Sequence, residues 1–188
     1  MVWKSSCHSK ETDNGKLNLK LKLRKNAIQK LVSKAALINV LDCYAGENVI
    51  WSNIYCDNYT GIELKKNKGN NNIHGNNLDI IPTLDLTQYN VIDLDAYGIP
   101  FPQMQLILPR IKKGTIVFYT CGTNKISNLT KECIEYYNLG RIYEKNRTLL
   151  NGHALELFYG MLYDYGVREI HEYQIVGKFN MRYGYFIY

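Results

Sequence analysis

Apolar residues along this chain fall into short uninterrupted runs that alternate with stretches in which they recur at helical spacing. Four runs are typical of strands buried on both faces, as in parallel sheets: 37–43, 59–64, 90–95 and 115–121. The stretches between or beside them predict helices: 25–35, 47–56, 101–109, 127–137 and 152–165. This alternation predicts βαβ units, a mostly parallel sheet, and a ligand site at the carboxyl ends of the strands.

The remaining segments complete the predicted sheet. Residues 169–188 have the pattern of two strands around a turn near 178–180, which closes the sheet with an antiparallel pair. A short strand is predicted at 72–74, and LNLKLKL at 17–23 alternates apolar and polar positions like a strand or an extended arm. The prediction is an α/β fold with a seven-stranded, mostly parallel sheet and helices on both faces.

Length and composition narrow the class of protein. The 188 residues fit one domain, and we divide them into a basic arm, 1–23, and a domain, 24–188. No apolar stretch is long enough to span a bilayer, and the first sixteen residues lack the apolar run of a secretory signal, so we expect a cytoplasmic protein with no membrane partner. Five cysteines without CxxC spacing, and scattered histidines, predict reduced thiols and no metal site.

The positive charge is concentrated near the start of the chain. Residues 1–35 hold nine Lys or Arg and two acids, Glu11 and Asp13, which gives this segment a net charge of +7. The whole chain has a net charge of +6, so the remaining residues sum to −1. A basic segment of this kind suits a phosphate backbone, which predicts a nucleic-acid partner. A solvated helix face with a loose tail explains the same charges without a partner.

Two strand ends carry candidate cofactor contacts. The run 37–43 leads into a sharp turn from Asp42 to Asn48, with Gly46 where the backbone must approach a ligand closely. Asn48 stands where a full glycine-rich loop has a second glycine, and asparagine tolerates a left-handed backbone. The second strand ends near Glu63, whose carboxylate suits the two hydroxyls of a ribose. Together the two ends favour a nucleoside ligand.

The third strand ends in the sequence DLDAYGIP, at 93–100. Asp95 follows the strand and would project into the same crevice, where a carboxylate can orient an amine and accept its proton. Tyr97 offers a flat ring on which a base can stack. Asp93 also fits the role of a buried polar residue with a structural partner.

The ordered segments VLDCYAG, GIEL, HGNN, VIDLDAYGIP and KKGTIVFYTCG resemble the motifs of class I S-adenosylmethionine-dependent methyltransferases. Within that class, DLDAYGIP and GTIVFYTCG are most similar to the catalytic domain of tRNA guanine-N2-dimethyltransferases. The resemblance implies a Rossmann-like fold, S-adenosylmethionine as cofactor, and transfer to an exocyclic amino group. It implies that Asp42 and Gly46 belong to the loop on the methionine side of the cofactor, with Tyr44 as a further contact, that Glu63 binds the ribose, and that Asn76 lies beside the adenine. The catalytic residues that it implies are Asp95 and Tyr97. Ala96 departs from the family's proline.

Several alternatives remain open at this stage. The target is an RNA base, with tRNA guanine favoured, or an adenine in DNA, or a carbon atom or small molecule. A catalytically idle protein of the same fold, which binds nucleic acid or a partner subunit, also fits, because no recognition domain of the family's kind is expected in this sequence. A homodimer is a further possibility for the same reason. Cys121 resembles the nucleophile of RNA cytosine methyltransferases, but DAYG replaces their DAPC, so we interpret Cys121 as a core residue.

Overall fold

The computed structural model describes residues 16–32, 37–66, 72–96, 98–123, 129–175 and 180–188. Within these ranges, seven strands form one sheet: β1 (Asn39–Asp42), β2 (Asn58–Glu63), β3 (Asn72–His74), β4 (Val91–Leu94), β5 (Ile116–Thr123), β6 (His171–Ile175) and β7 (Asn180–Ile187). The same ranges hold six α-helices: α1 (Leu17–Val32), α2 (Asn77–Ile80), α3 (Phe101–Ile107), α4 (Lys131–Tyr136), α5 (Gly140–Gly152) and α6 (Ala154–Asp164). None of these helices is long and apolar enough to cross a bilayer.

The strand order across the sheet is β3-β2-β1-β4-β5-β7-β6. β1 to β5 are mutually parallel, and β7 is antiparallel to both of its neighbours, β5 and β6. The chain runs outward from β1 to β3 and then returns to β4 on the other side of β1, so the strand order reverses between β1 and β4. A reversal of this kind opens a crevice at the carboxyl ends of the two strands. The predicted α/β fold, with its antiparallel final pair, is confirmed.

Alternate residues of the central strands face two separate hydrophobic cores. On one face, α1 and Trp51 pack against Val40 and Phe118. On the other, α3, α4 and α6 pack against Leu41 and Val117. Helices therefore cover both faces of the sheet, as the buried strand pattern predicts.

α1 replaces the strand or extended arm predicted for residues 17–23, and that prediction is wrong. The residues that α1 buries follow helical spacing: Lys20, Leu23, Arg24, Ala27 and Ile28. The polar members of this stripe have buried partners, and Leu, Lys and Arg are strong helix formers, so a helix satisfies the segment better than a strand. The boundary between a basic arm and a domain, predicted at 23 and 24, falls inside this helix, and residues 1–15 lie outside the described part of the chain.

Two further helix predictions differ from the structure. Residues 47–56 hold a single 3₁₀ turn, Trp51–Asn53, because Asn48 adopts a left-handed backbone that starts no α-helix. α5 is absent from the prediction, and it is a largely exposed helix with few apolar positions. The helices predicted at 101–109, 127–137 and 152–165 correspond to α3, α4 and α6.

Candidate functional site

Three of the predicted site residues come together at one edge of the sheet. Asp42 is the last residue of β1, Glu63 is the last residue of β2, and Asp95 directly follows β4. Tyr44 and Gly46 lie in the loop after β1, beside the same edge. The crevice where the strand order reverses is therefore lined by residues that the sequence selects for cofactor binding and catalysis.

The loop after β1 has the tight turn predicted for it. Gly46 has φ +55° and Asn48 has φ +60°, so both adopt the left-handed backbone that glycine and asparagine accept most readily. The Asn48 amide donates to the carbonyl oxygen of Ala45 at 2.8 Å, and the Ala45 amide donates to Ile62 at 3.0 Å. A Cβ on Gly61 would lie only 2.9 Å from the Cβ of Ala45, so the loop lies directly against β2. The loop is thus fixed by the strand beside it.

Glu63 binds two backbone amides. Its Oε2 accepts from the Gly46 amide at 2.9 Å, and its Oε1 accepts from the Lys65 amide at 2.9 Å. Each carboxylate oxygen can accept a second hydrogen bond, so Glu63 keeps acceptor capacity towards the crevice. The residue predicted to bind ribose also holds the loop predicted to bind the methionine part of the cofactor.

Asp93 is a structural residue of this edge. It is fully buried, and its two oxygens accept from the Arg24 guanidinium at 2.6 and 2.7 Å. The Trp51 indole N–H donates to the same carboxylate at 2.8 Å. A bidentate pair with a third donor satisfies a buried carboxylate well. Asp93 therefore joins α1 and the 3₁₀ turn to the central sheet.

Asp95 has a different pair of partners. The Lys20 ammonium lies 2.6 Å from its Oδ2, and the Thr120 hydroxyl donates to its Oδ1 at 2.5 Å. Burial acts to raise the pKa of Asp95, but the charges of Lys20 and Arg24, with the bond from Thr120, outweigh burial and hold that pKa below its ordinary value. Asp95 is thus a carboxylate at neutral pH, available as a hydrogen-bond acceptor and weak as a base.

Among the described residues no cation lies within hydrogen-bond distance of Asp42, and the pKa of Asp42 moves in the other direction. Burial and the charge of Asp93 raise the pKa of Asp42 well above its ordinary value. The Tyr59 hydroxyl lies 3.2 Å from Asp42 Oδ2 and 2.9 Å from Asn48 Oδ1. A hydroxyl carries one hydrogen, so a protonated Asp42 can donate to Tyr59 while Tyr59 donates to Asn48. Tyr59 therefore links β1 to the left-handed turn.

Asn76, predicted to lie beside the adenine, has a local role in the structure. Its side chain is exposed and accepts from the Leu78 amide at 3.1 Å, which caps α2. The next residue, Asn77, is the one that connects to the site, because its Nδ2 donates to the Cys43 carbonyl at 3.0 Å and its side chain hydrogen-bonds to Tyr44. Asn77 therefore holds the loop after β1, and although it stands in the HGNN segment it is not among the residues predicted for the site.

Tyr97, the predicted stacking residue, lies outside the described residues. The residues around it fix the loop after β4 through two backbone bonds: the Gly122 amide donates to Gly98 at 3.1 Å, and the Ala96 amide donates to Leu94 at 2.8 Å. A proline at 96 could not donate the second bond. Ala96, which stands where the family has proline, therefore allows a backbone hydrogen bond to hold this loop, whereas in the family the proline ring restricts it.

Cys121 is a buried residue of β5. Burial raises the pKa of its thiol well above the ordinary value, and Glu172 raises it further. Nucleophilic cysteines instead have a lowered pKa and partial exposure. The environment agrees with the interpretation of Cys121 as a core residue.

α1 contributes directly to the crevice. A cavity of about 30 Å³ lies between the loop after β1 and the first turn of α1, with Leu17, Lys20, Tyr44, Gly46 and Asp95 among its lining residues. Ligand pockets generally measure roughly 300–1,000 Å³, whereas this one has room for about one water molecule. Leu17 and Lys20 of α1 therefore lie in the wall of a crevice that has little free volume in this conformation.

Sequence reasoning missed the cations and hydroxyls of the site. Lys20 and Arg24 were assigned to a phosphate-binding segment, but both are buried in ion pairs and cannot contact a phosphate from there. Their four-residue spacing, combined with Leu23 and Ala27, is the signal that could have placed them on a buried helix face. Nothing in the sequence singles out Thr120.

No protein-family model matches this sequence, and no curated protein is detectably similar to it. Solved structures do share its fold. The N-methyltransferase NodS from Bradyrhizobium japonicum WM9 has a TM-score of 0.56 at 11% identity, over 93% of this chain and 97% of that chain. A SAM-dependent methyltransferase from Archaeoglobus fulgidus has a TM-score of 0.51 at 12% identity, over 87% and 76%. The CurJ carbon methyltransferase has a TM-score of 0.54 at 12% identity, over 91% of this chain and 53% of that chain. The chain therefore has the fold of class I SAM-dependent methyltransferases.

Proposed function

We propose that this chain is a S-adenosylmethionine-dependent methyltransferase that acts on an exocyclic amino group of a nucleic-acid base, with guanine in tRNA favoured. The grouping of Asp42, Glu63 and Asp95 where the strand order reverses is the observation that carries the proposal. Solved methyltransferases share this fold, which supports the reaction class. The resemblance of the DLDAYGIP segment to tRNA guanine-N2-dimethyltransferases supports the target atom.

The residues of the crevice fit the cofactor. Glu63 offers carboxylate oxygens for ribose hydroxyls, and the left-handed turn at Gly46 and Asn48 allows close approach of the backbone to the methionine part. The acidic residues Asp42 and Asp95 in the wall of the crevice suit a positively charged ligand. When bound, S-adenosylmethionine supplies a methyl group carried by an electrophilic sulfonium.

Asp95 would orient the target amine. With its pKa lowered, the carboxylate accepts a hydrogen bond from the amino group and so aims the nitrogen lone pair. Each of its oxygens can accept a second bond, although Lys20 and Thr120 already contact it. The amine proton leaves after the nitrogen has gained the methyl group, because a methylated ammonium is far more acidic towards water than the neutral amine.

Exposed lysines support a nucleic-acid substrate. Lys16, directly before α1, and Lys22 and Lys25, on α1, are exposed, and Leu17 and Lys20 of the same helix line the crevice. The net charge of +6 favours approach of a polyanion.

Transfer of a radiolabelled methyl group to total tRNA, rRNA and DNA tests the proposal. We expect labelling of tRNA and a loss of about 100-fold or more in Asp95→Asn, the range for a residue that orients or takes part in proton transfer. Asp164→Asn, on the exposed side of α6, is the matched control and should label like wild type. Equal labelling by wild type and Asp95→Asn would refute the role of Asp95, and labelling of DNA alone would favour the adenine target.

The small cavity favours one second candidate, a catalytically idle protein of this fold that binds nucleic acid or a partner. Isothermal titration calorimetry with S-adenosylmethionine separates the two. Heat of binding supports the enzyme; absence of heat at millimolar cofactor, together with absence of labelling, would support the idle protein.

A further inference from the structure

Lys20 is the least expected residue of the crevice. It is 7% exposed, although lysine is almost never buried unless paired, and its ammonium points at Asp95 across 2.6 Å. The same ammonium lies 5.3 Å from the centre of the Tyr183 ring, within the range of a cation–π contact. Lys20 thus places a positive charge in the wall of the crevice that is proposed to hold the cofactor.

The charges around the crevice leave room for one more cation. Asp42 and Asp93 are buried and the Asp95 side chain is 11% exposed, and among the described residues Arg24 and Lys20 are the two cations that form ion pairs with this group of acids. Burial, followed by the charge of Asp93, raises the pKa of Asp42, so this acid keeps its proton while no cation lies within ion-pair distance of it among the described residues. A positively charged ligand in this crevice would favour release of the Asp42 proton, and it could pair with Asp95 in place of Lys20, which lines the same cavity.

We infer that Lys20 is an internal cation that closes the cofactor crevice and that withdraws when a cationic ligand takes over its contact with Asp95. The inference rests on the proposed function and adds a specificity-determining residue to it. Lys20 would set how strongly the crevice distinguishes S-adenosylmethionine, which carries a sulfonium charge, from the demethylated product S-adenosylhomocysteine, which does not.

The structure of α1 allows such a movement without loss of the fold. Arg24, one turn after Lys20, is held by two bonds to Asp93, so the helix stays anchored while its first turn moves. Leu17, the other α1 residue in the cavity wall, is only half-buried. A lysine stem of four methylenes can also carry its ammonium to solvent without displacement of the helix.

Calorimetry with both ligands tests this inference. We compare wild type, Lys20→Met and, as an exposed control remote from the crevice, Lys112→Met. Loss of the internal cation should tighten S-adenosylmethionine binding by about tenfold and S-adenosylhomocysteine binding much less, because like charges no longer meet in a buried site. The ratio of the two dissociation constants should therefore shift towards the charged ligand in Lys20→Met and stay at the wild-type value in Lys112→Met.

The double variant Lys20→Met/Asp95→Asn covers the case in which Lys20→Met fails to fold because Asp95 loses its partner. It leaves no unpaired charge, so it should fold, and it should lose the extra preference for the charged ligand. A preference as strong as in Lys20→Met would contradict Asp95 as the recipient of the ligand's charge.

A measurement on the wild-type protein needs no variant. Amine acetylation followed by mass spectrometry should find Lys20 protected without ligand and modified in saturating S-adenosylmethionine, while Lys112 is modified in both. Continued protection of Lys20 under saturation, or an unchanged ratio of dissociation constants, would overturn this inference alone. If neither ligand binds any of the proteins, the proposed function fails and this inference fails with it.

Discussion

Asp42, Asp93 and Asp95 show how neighbours give one residue type three roles at one sheet edge. Asp93 is saturated by Arg24 and Trp51 and serves the fold. Asp95 keeps its charge through Lys20 and Thr120, which leaves it able to orient a donor. Asp42 is buried beside Asp93, and both the burial and the charge of that neighbour favour the neutral form of Asp42. The environment, rather than the residue type, separates a structural acid from a candidate functional one.

The raised pKa of Asp42 predicts a pH dependence of stability. The folded protein keeps this proton over a pH range in which the unfolded chain has lost it, so the free energy of unfolding falls as pH rises from about 4. Asp42→Asn removes that penalty and should raise the free energy of unfolding at pH 7 by about 0.5–2 kcal/mol, with a gain that shrinks towards pH 4. Urea unfolding at several pH values measures this.

The same variant should bind S-adenosylmethionine more weakly, because an amide at position 42 has no proton to release when the positively charged sulfonium enters the crevice. A gain in stability combined with a loss of binding would mark Asp42 as a functional residue held at a cost to the fold. If wild type and Asp42→Asn show the same slope of stability against pH, the neutral form of Asp42 is not favoured by folding.

At the scale of the element, α1 is held to the sheet by a buried ion pair. The side chains of Arg24 and Asp93 are each 1% exposed, and Ala27 and Leu23 pack beside them. The Arg24–Asp93 pair is thus a polar contact within an apolar interface, and the Lys20–Asp95 pair is a second ion pair of the same helix. Removal of one partner leaves the other as an uncompensated buried charge.

A double-mutant cycle tests that attachment. Arg24→Met and Asp93→Asn should each lower the free energy of unfolding by about 3–5 kcal/mol, and the double variant should recover part of that loss because neither charge remains. Thermal unfolding followed by circular dichroism measures all four proteins. Additive losses in the double variant would show that the two groups do not stabilise the fold through each other.

The elements also show what the sequence can and cannot predict. The strands and the left-handed turn at Asn48 follow from local signals, namely apolar runs and a residue that tolerates the backbone. Residues 17–23 of α1 have an alternating pattern that predicts a strand or extended arm, whereas residues 25–32 lie within the predicted helix 25–35. The burial of Lys20 and Arg24 cannot be read from local sequence, because their partners lie 75 and 69 residues away. The acids at the strand ends can be predicted because each position depends on one strand. The buried positions of Lys20 and Arg24 cannot, because an ion pair depends on how distant segments come together in the fold.

At the scale of the whole molecule, the positive charge should appear in the salt dependence of nucleic-acid binding. If the exposed face of α1 contacts phosphates, replacement of Lys16, Lys22 and Lys25 by Gln should reduce the slope of log affinity against log salt by about 2–3. Fluorescence anisotropy with tRNA between 50 and 300 mM salt, roughly the range in which such slopes are resolved, measures it.

A control of equal charge change uses lysines elsewhere on the surface: Lys112, Lys113 and Lys131. The control triple should keep most of the wild-type slope. Equal slopes for the two triples would mean that α1 is not the phosphate-binding face. Deletion of residues 1–23 is the poorer experiment, because it removes Lys20 and Leu23 and so disturbs both the crevice and the core.

The position of β7 has a consequence for biosynthesis. β5 pairs with β4 on one side and with β7 on the other, and β7 follows every other strand in the chain. A nascent chain that has just emerged through Thr123 presents β5 as an open edge, and its partner follows roughly 60 residues later, about 3–12 s at ordinary rates of synthesis. An apolar, unpaired edge invites association with other chains during that interval. The protein is thus most prone to aggregation while it is still on the ribosome, before β7 pairs with β5 and completes the sheet that positions Asp95 and Thr120.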